Sequence, residues 1–439
     1  MKTMLWIGIL TACVGVSSCL LDGKYTVGGT ISGLRGSGLV LQNSSGKYLS
    51  VAANGTFTFA SGVANNGTYS VTVRTQPSNP TQTCSVVNAT GTINKANVTN
   101  VIVHCTQAGR FAYVANQTAN NISGYSINAS SGALTPLAGS PFISTGTTPV
   151  AVSVDPDGKF LYVTNSGSND VTVYSIDDNT GVLAPAAVAI ATGTTPVAAS
   201  IDPTGRYLYV ANLSDNTVSA FAIGTSGVAT IISGSPYAVG REPSALTTDP
   251  GGRFLFVANF SDGSVTAFAI DPTTGRLSLI SGSPFAAGAG AGAIAINPAG
   301  TFAYVANQSA ASISAYSIDL STGVLTALSG SPLSTGSSPA SLAVSPAGQF
   351  VYAANVTSKN DIAGYGVTAG SGALTLISTV GAGNFPVSIA IDPLGLFLYA
   401  ANVDSADISA FSIDAAAGTL TQVGSPFAAG TGARSIAID

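Results

Sequence analysis

The 439-residue chain is long enough for two or three domains, yet only 8% of it is charged, against about 25% in an average soluble protein. Its net charge of −5 is thinly spread and leaves no basic stripe to neutralise phosphates, which excludes nucleic acid as a partner. With 51 glycines and few charges for amphipathic helices, the composition suits short strands joined by tight turns.

At the N-terminus, Met1-Lys2 precedes an apolar run from Met4 to Leu10 and small residues up to Val16-Ser17-Ser18-Cys19. A charged start, a short apolar core and a small-residue cleavage region predict a secretory signal over residues 1–18, too short to span a bilayer. The tetrad ending at Cys19 resembles a bacterial lipobox. That resemblance implies a lipidated Cys19, a tether over residues 19–23, and attachment to the membrane in the bacterial cell envelope. Leu20 stands where an aspartate commonly retains such proteins at the inner membrane, so the outer membrane is expected.

Residues 24–106 alternate β-rich runs with turn signals. Tyr25-Thr26-Val27, Leu39-Val40-Leu41, Phe57-Thr58-Phe59, Tyr69 to Val73 and Val101-Ile102-Val103 are the predicted strands, and Asn54-Gly55 and Asn66-Gly67 mark tight turns. This spacing predicts a small β-sandwich of immunoglobulin-like type, a spacer between the membrane and the rest of the chain. Cys84 and Cys105 are its two cysteines. In an exported chain they are expected to form a structural disulfide, worth roughly 3 kcal/mol in the chain-entropy model. His104 reads as a lone strand residue, because no second histidine or carboxylate cluster accompanies it. No metal or cofactor is expected.

From residue 109 one pattern recurs every 47 to 49 residues. An aromatic, two further residues and an asparagine mark it, at Tyr113 to Asn116, Tyr162 to Asn165, Tyr209 to Asn212, Phe256 to Asn259, Tyr304 to Asn307, Tyr352 to Asn355 and Tyr399 to Asn402. Asp-Pro or a variant follows the preceding run, as at Asp155-Pro156 and Asp249-Pro250. A glycine stands ten residues before that proline, from Gly146 to Gly383, with Gly430 in the last copy. In the third copy the strands are predicted at Ser244 to Thr248, Phe254 to Ala258, Ser264 to Ile270 and Leu277 to Ile280. The chain enters the pattern at a second strand and stops at Ser435-Ile436-Ala437-Ile438-Asp439, a first strand without its successor. The ends therefore predict ring closure: an all-β chain whose residues 109–439 form a seven-bladed β-propeller, its last strand completing its first sheet.

The motif Tyr162-Val163-Thr164-Asn165, elsewhere Tyr-Val-Ala-Asn, resembles the YVTN family of propeller repeats. The repeats are also similar to the lactonase-type seven-bladed propellers, which include 6-phosphogluconolactonase-like and muconate-lactonising enzymes. The resemblance implies His, Glu and Arg for lactone chemistry. Here the propeller carries no histidine and a single glutamate, Glu242, while its aspartates fall in repeated turns where capping the backbone is the expected role.

Candidate site residues come from breaks in the repetition. Between the marking glycine and the innermost strand, most copies carry bland pairs such as Thr147-Thr148. The third has Arg241-Glu242, the sixth Asn384-Phe385, and the seventh brings Arg434. Converging at the mouth of the central channel, these five are candidates to bind a small anion or a peptide carboxylate; the alternative, which the sequence favours, is an Arg241–Glu242 surface pair or a solvated loop. With acid–base groups so scarce, the sequence favours a non-enzymatic binding or scaffold module, a monomer presenting a polar rim to a protein, glycan or small anionic ligand. The alternatives are a divergent lactonase using Arg241, Glu242 and Arg434, and an adhesin or envelope structural protein.

Overall fold

The aromatic-x-x-Asn segment becomes the second strand of every blade. We describe the chain from a computed structural model covering residues 24–34, 36–78, 82–106, 110–144, 146–186, 189–356 and 360–439. Cys19 lies outside the described residues. Blades I to VII are numbered by their innermost strands, Pro149–Val154, Pro196–Ile201, Pro243–Thr248, Ala291–Ile296, Pro339–Val344, Pro386–Ile391 and Ala433–Ile438. Each innermost strand pairs antiparallel with the next strand of its sheet, and the order runs outward from the axis. The expected closure is present. Ala433–Ile438 pairs with Phe111–Asn116, from Ala112 opposite Ile438 to Asn116 opposite Ala433. In blade III the observed strands are Pro243–Thr248, Phe254–Asn259, Ser264–Ile270 and Leu277–Leu279. A short fifth strand, Phe285–Ala286, was not among those expected; it pairs with the start of the third.

Second strands are sandwiched between neighbouring blades, so both faces are apolar and the run does not alternate. The motif's two polar members serve that packing. Six tyrosine hydroxyls reach the next blade and donate to a glycine carbonyl in its outer turn, Tyr113 to Gly181 and Tyr399 to Gly132 among them, at 2.7–2.9 Å. In blade III the aromatic is Phe256 and this bond is not made. The buried asparagine works within its blade: Asn307 Nδ2 donates to Ser312 Oγ at 3.1 Å and Ser314 Oγ at 2.9 Å. It also explains six of the seven marking glycines, since a Cβ on Gly430 would stand 2.6 Å from Asn116 Cγ; Gly336 instead has no atom within 4 Å of its Cβ position and adopts φ 66°.

The aspartates of the Asp-Pro turns cap backbone as expected. Asp249 Oδ1 accepts from the N–H groups of Arg253 at 2.6 Å and Phe254 at 2.7 Å, and Asp202 and Asp392 repeat the arrangement.

The described part of residues 24–106 forms two four-stranded sheets, and a short two-stranded one that pairs Lys24–Tyr25 with Val63–Ala64, over one core that includes Val27, Ile31, Leu41, Phe57, Val71 and Val103. The disulfide joins Cys84 to Cys105 on antiparallel neighbours. This domain stands against the propeller face that carries the Asp-Pro turns. There Thr30 Oγ1 donates to the Gly251 carbonyl at 3.1 Å, and the Asn54 amide bonds the Asp157 carboxylate. One mouth of the central channel is thus faced by the N-terminal domain, and the other is open among the described residues.

Candidate functional site

The open mouth is built by the loop leading into each innermost strand. The residue just before that strand adopts a left-handed conformation at Thr148, Thr195, Glu242 and Phe385, with φ between 54° and 60°. Such a conformation costs a residue bearing a Cβ roughly 1–2 kcal/mol. The preceding blade offsets it with an asparagine whose Oδ1 accepts the strained N–H: Asn120 for Thr148, Asn169 for Thr195, Asn216 for Glu242 and Asn360 for Phe385, at 2.7–3.1 Å. Where that asparagine is replaced by Gly263 or Ala406, the strained position is itself glycine, Gly290 or Gly432. Clamp and strain come together, and their effect is to hold Glu242 and Phe385 at the rim.

A cavity of about 700 Å³ occupies this mouth. Glu242 of blade III, Phe385 of blade VI and Arg434 of blade VII all line it, so three of the five residues singled out from the sequence meet there. Blades III and VII are three steps apart in a ring of seven, which puts carboxylate and guanidinium on opposite walls. They are the only charged side chains among the described lining residues. The other two candidates stand outside. Arg241 points away, 72% exposed, and pairs with Asp262 at 2.6 Å, while Asn384 lies on the outer surface beside Ser405. The Asp262 pair raises the Arg241 pKa, mainly through the hydrogen bond, and depresses that of the carboxylate.

Glu242 accepts a hydrogen bond from the Ser261 hydroxyl. Arg434 makes no hydrogen bond or ion pair among the described residues. Arg434 is exposed on the wall of the open channel, and partial desolvation by the surrounding blades lowers its pKa from the usual arginine value. Most serines at the mouth are already occupied in stitching innermost strands together: Ser341 accepts from Ile389 N–H, Ser388 from Ile436 and Ser435 from Val152, all at 3.2 Å. Glu242, Arg434 and the Gln308 amide are left to meet a ligand. Leu213, Phe260 and Phe385 supply the apolar wall.

Leu213, Phe260 and Gln308 were missed from the sequence. Each directly follows a motif asparagine, where other copies carry Gln117, Ser166, Val356 and Val403. Variation at that fixed offset is the signal that would have found them.

A ring of seven sheets with a polar-tipped, apolar-walled pocket on its axis defines the class, a seven-bladed β-propeller with a ligand-sized cavity at one mouth. Residues 70–199, 191–284 and 327–435 match the family model described as Lactonase, 7-bladed beta-propeller, and the chain belongs to that family. Solved structures of the same fold include one from Bacteroides uniformis proposed to be a 6-phosphogluconolactonase. It is 21% identical, with a TM-score of 0.67 over 76% of this chain and 100% of that one. Another is the periplasmic gluconolactonase of Pseudomonas aeruginosa, 20% identical, TM-score 0.66, covering 75% of this chain and 98% of that one. No curated protein matches the chain. The binding-or-scaffold reading of the sequence is corrected by this membership, which favours the lactonase alternative. Scarcity of acid–base groups misled, because a hydrolytic site requires one well-placed carboxylate rather than many.

Proposed function

We propose that the protein hydrolyses a lactone at the open channel mouth. Glu242 acts as general base on a water that attacks the lactone carbonyl. Arg434 and the Gln308 amide donate to the developing oxyanion. As the ring C–O bond breaks, the leaving alkoxide recovers the proton from Glu242, and the product is an open-chain hydroxy acid. Phe260 and Phe385 pack against the ring. The observation that carries this reading is one cavity whose described lining holds one carboxylate and, on the opposite wall, one guanidinium with no partner among the described residues, in a chain of the lactonase family.

The test is turnover of a panel of γ- and δ-lactones by the purified full chain. Glu242→Gln should lower kcat by about 10²–10⁴ and Arg434→Met by about 10²–10³. No turnover of any lactone, or turnover that survives Glu242→Gln, would remove the proposal.

The lipobox-like segment further supports a lipid-anchored protein of the bacterial envelope, held to the outer membrane through Cys19.

A further inference from the structure

The chain's one histidine lies far from the open mouth. His104 sits on Val98–Thr106, which runs parallel to Val27–Ser32 and places His104 opposite Ser32. Directly paired residues share a sheet face, and Ser32 Oγ lies 3.0 Å from His104 Nδ1. Gly33, at φ 71°, turns the chain away immediately afterwards. Both side chains border a cavity of about 590 Å³ between the N-terminal domain and the propeller. His104 Nε2 has no partner among the described residues. With the Ser32 hydroxyl as donor to Nδ1, the neutral ring carries its proton on Nε2.

We propose that Ser32 and His104 form a nucleophile–base pair acting on small uncharged esters in this interdomain cavity. The distance is that of a serine hydroxyl activated by a neighbouring imidazole. Desolvation lowers the His104 pKa, which favours the neutral ring that can accept the serine proton. Two carboxylates border the cavity and both are engaged elsewhere. Asp155 caps the N–H groups of Lys159 and Phe160, and Asp439 pairs with Arg110. No lysine or arginine is among the described lining residues, whereas four prolines, Pro156, Pro203, Pro250 and Pro393, form much of the propeller wall. An acyl group without charge fits such a lining. A phosphorylated or carboxylated substrate would find no counter-charge there and belongs, by the same logic, at the Arg434 mouth.

The chemistry balances with water as the only co-reactant. As Ser32 Oγ attacks the ester carbonyl, its proton passes to Nδ1. The bond to the leaving alcohol breaks, and the alkoxide takes that proton, leaving an acyl-serine. Water then attacks the acyl carbon and gives a proton to Nδ1. Carboxylic acid departs as Ser32 recovers its hydrogen.

The test is covalent labelling of the full chain with an alkyl fluorophosphonate, the adduct being mapped by mass spectrometry. The expected result is phosphonylation of Ser32, reduced to background in His104→Gln and retained in Glu242→Gln. Absence of a Ser32 adduct on the unsubstituted chain, or labelling unchanged in His104→Gln, would overturn the proposal. Because the first arm needs no variant, a substitution that fails to fold leaves the test intact. Lactone turnover lost in Glu242→Gln but kept in Ser32→Ala would show the two sites to be independent.

Discussion

Replacing Tyr399 by phenylalanine removes one oxygen from the seam between blades VI and VII. The ring is fully buried, and its hydroxyl donates to the Gly132 carbonyl at 2.9 Å, a contact between residues 267 positions apart. Burial, with a smaller contribution from the nearby Asp392 carboxylate, pushes the phenol pKa above its ordinary value, so the group is a donor at every working pH. A buried hydrogen bond of this kind is worth about 0.5–1.5 kcal/mol net, and a carbonyl stripped of its donor costs about 1–3 kcal/mol. Since these overlap, we expect a loss of about 1–3 kcal/mol, read as a lower urea midpoint at unchanged m. Tyr48→Phe, on a side chain 62% exposed, serves as the control and should change nothing measurable. If Tyr399→Phe unfolds at the same urea concentration as the parent chain, the tyrosines are only space-filling residues and the account of blade-to-blade locking is wrong.

Two further predictions concern charge and anchorage. Hydrogen bonds from backbone and hydroxyl groups depress the carboxyl pKa of Asp177, Asp271 and Asp319, that of Asp319 to about 2, and backbone bonds alone do so for Asp414. A depressed carboxylate stabilises above its unfolded pKa, and that stability is lost as pH falls through the folded value. Melting temperature should therefore drop between about pH 4 and pH 2, and less steeply in Asp319→Ala; an unchanged slope would refute the turn-capping role. Asp392 works in the opposite sense, because burial raises its pKa and its contribution falls as pH rises. In a bacterial host, labelled palmitate should enter the chain and be lost in Cys19→Ala; label that persists would refute the anchor.

Why the propeller was legible and the N-terminal sheets less so has a common physical cause. In the propeller one packing problem is solved seven times, so the residues that solve it recur at fixed offsets with few exceptions: tyrosine for the next blade's carbonyl in six blades, asparagine for its own third strand, and in six copies a glycine where the asparagine leaves no room for a Cβ. Residues 24–106 solve each problem once. Val27–Ser32 reads poorly as a strand because it contains Gly28-Gly29, yet those glycines are what let it sit between two neighbours. A Cβ on Gly28 would lie 2.2 Å from the Phe57 carbonyl oxygen, and one on Gly29 would lie 1.7 Å from that of Val101. Propensity opposed the strand, and close approach of backbones required it.

The site divides along the same line. Departures from a repeat announce which positions are released from packing, and three of five such departures do meet at the mouth. They do not announce direction. Arg241 and Glu242 are adjacent in sequence, but the left-handed backbone at Glu242, clamped by Asn216, sends one side chain to Asp262 on the outside and leaves the other in the channel. Ser32 and His104 lie beyond such reasoning altogether. They are 72 residues apart, in a region with no internal repeat, and meet only because two strands run parallel in one register. Repetition makes function legible by contrast; where nothing repeats, chemistry that depends on register has to be seen in three dimensions.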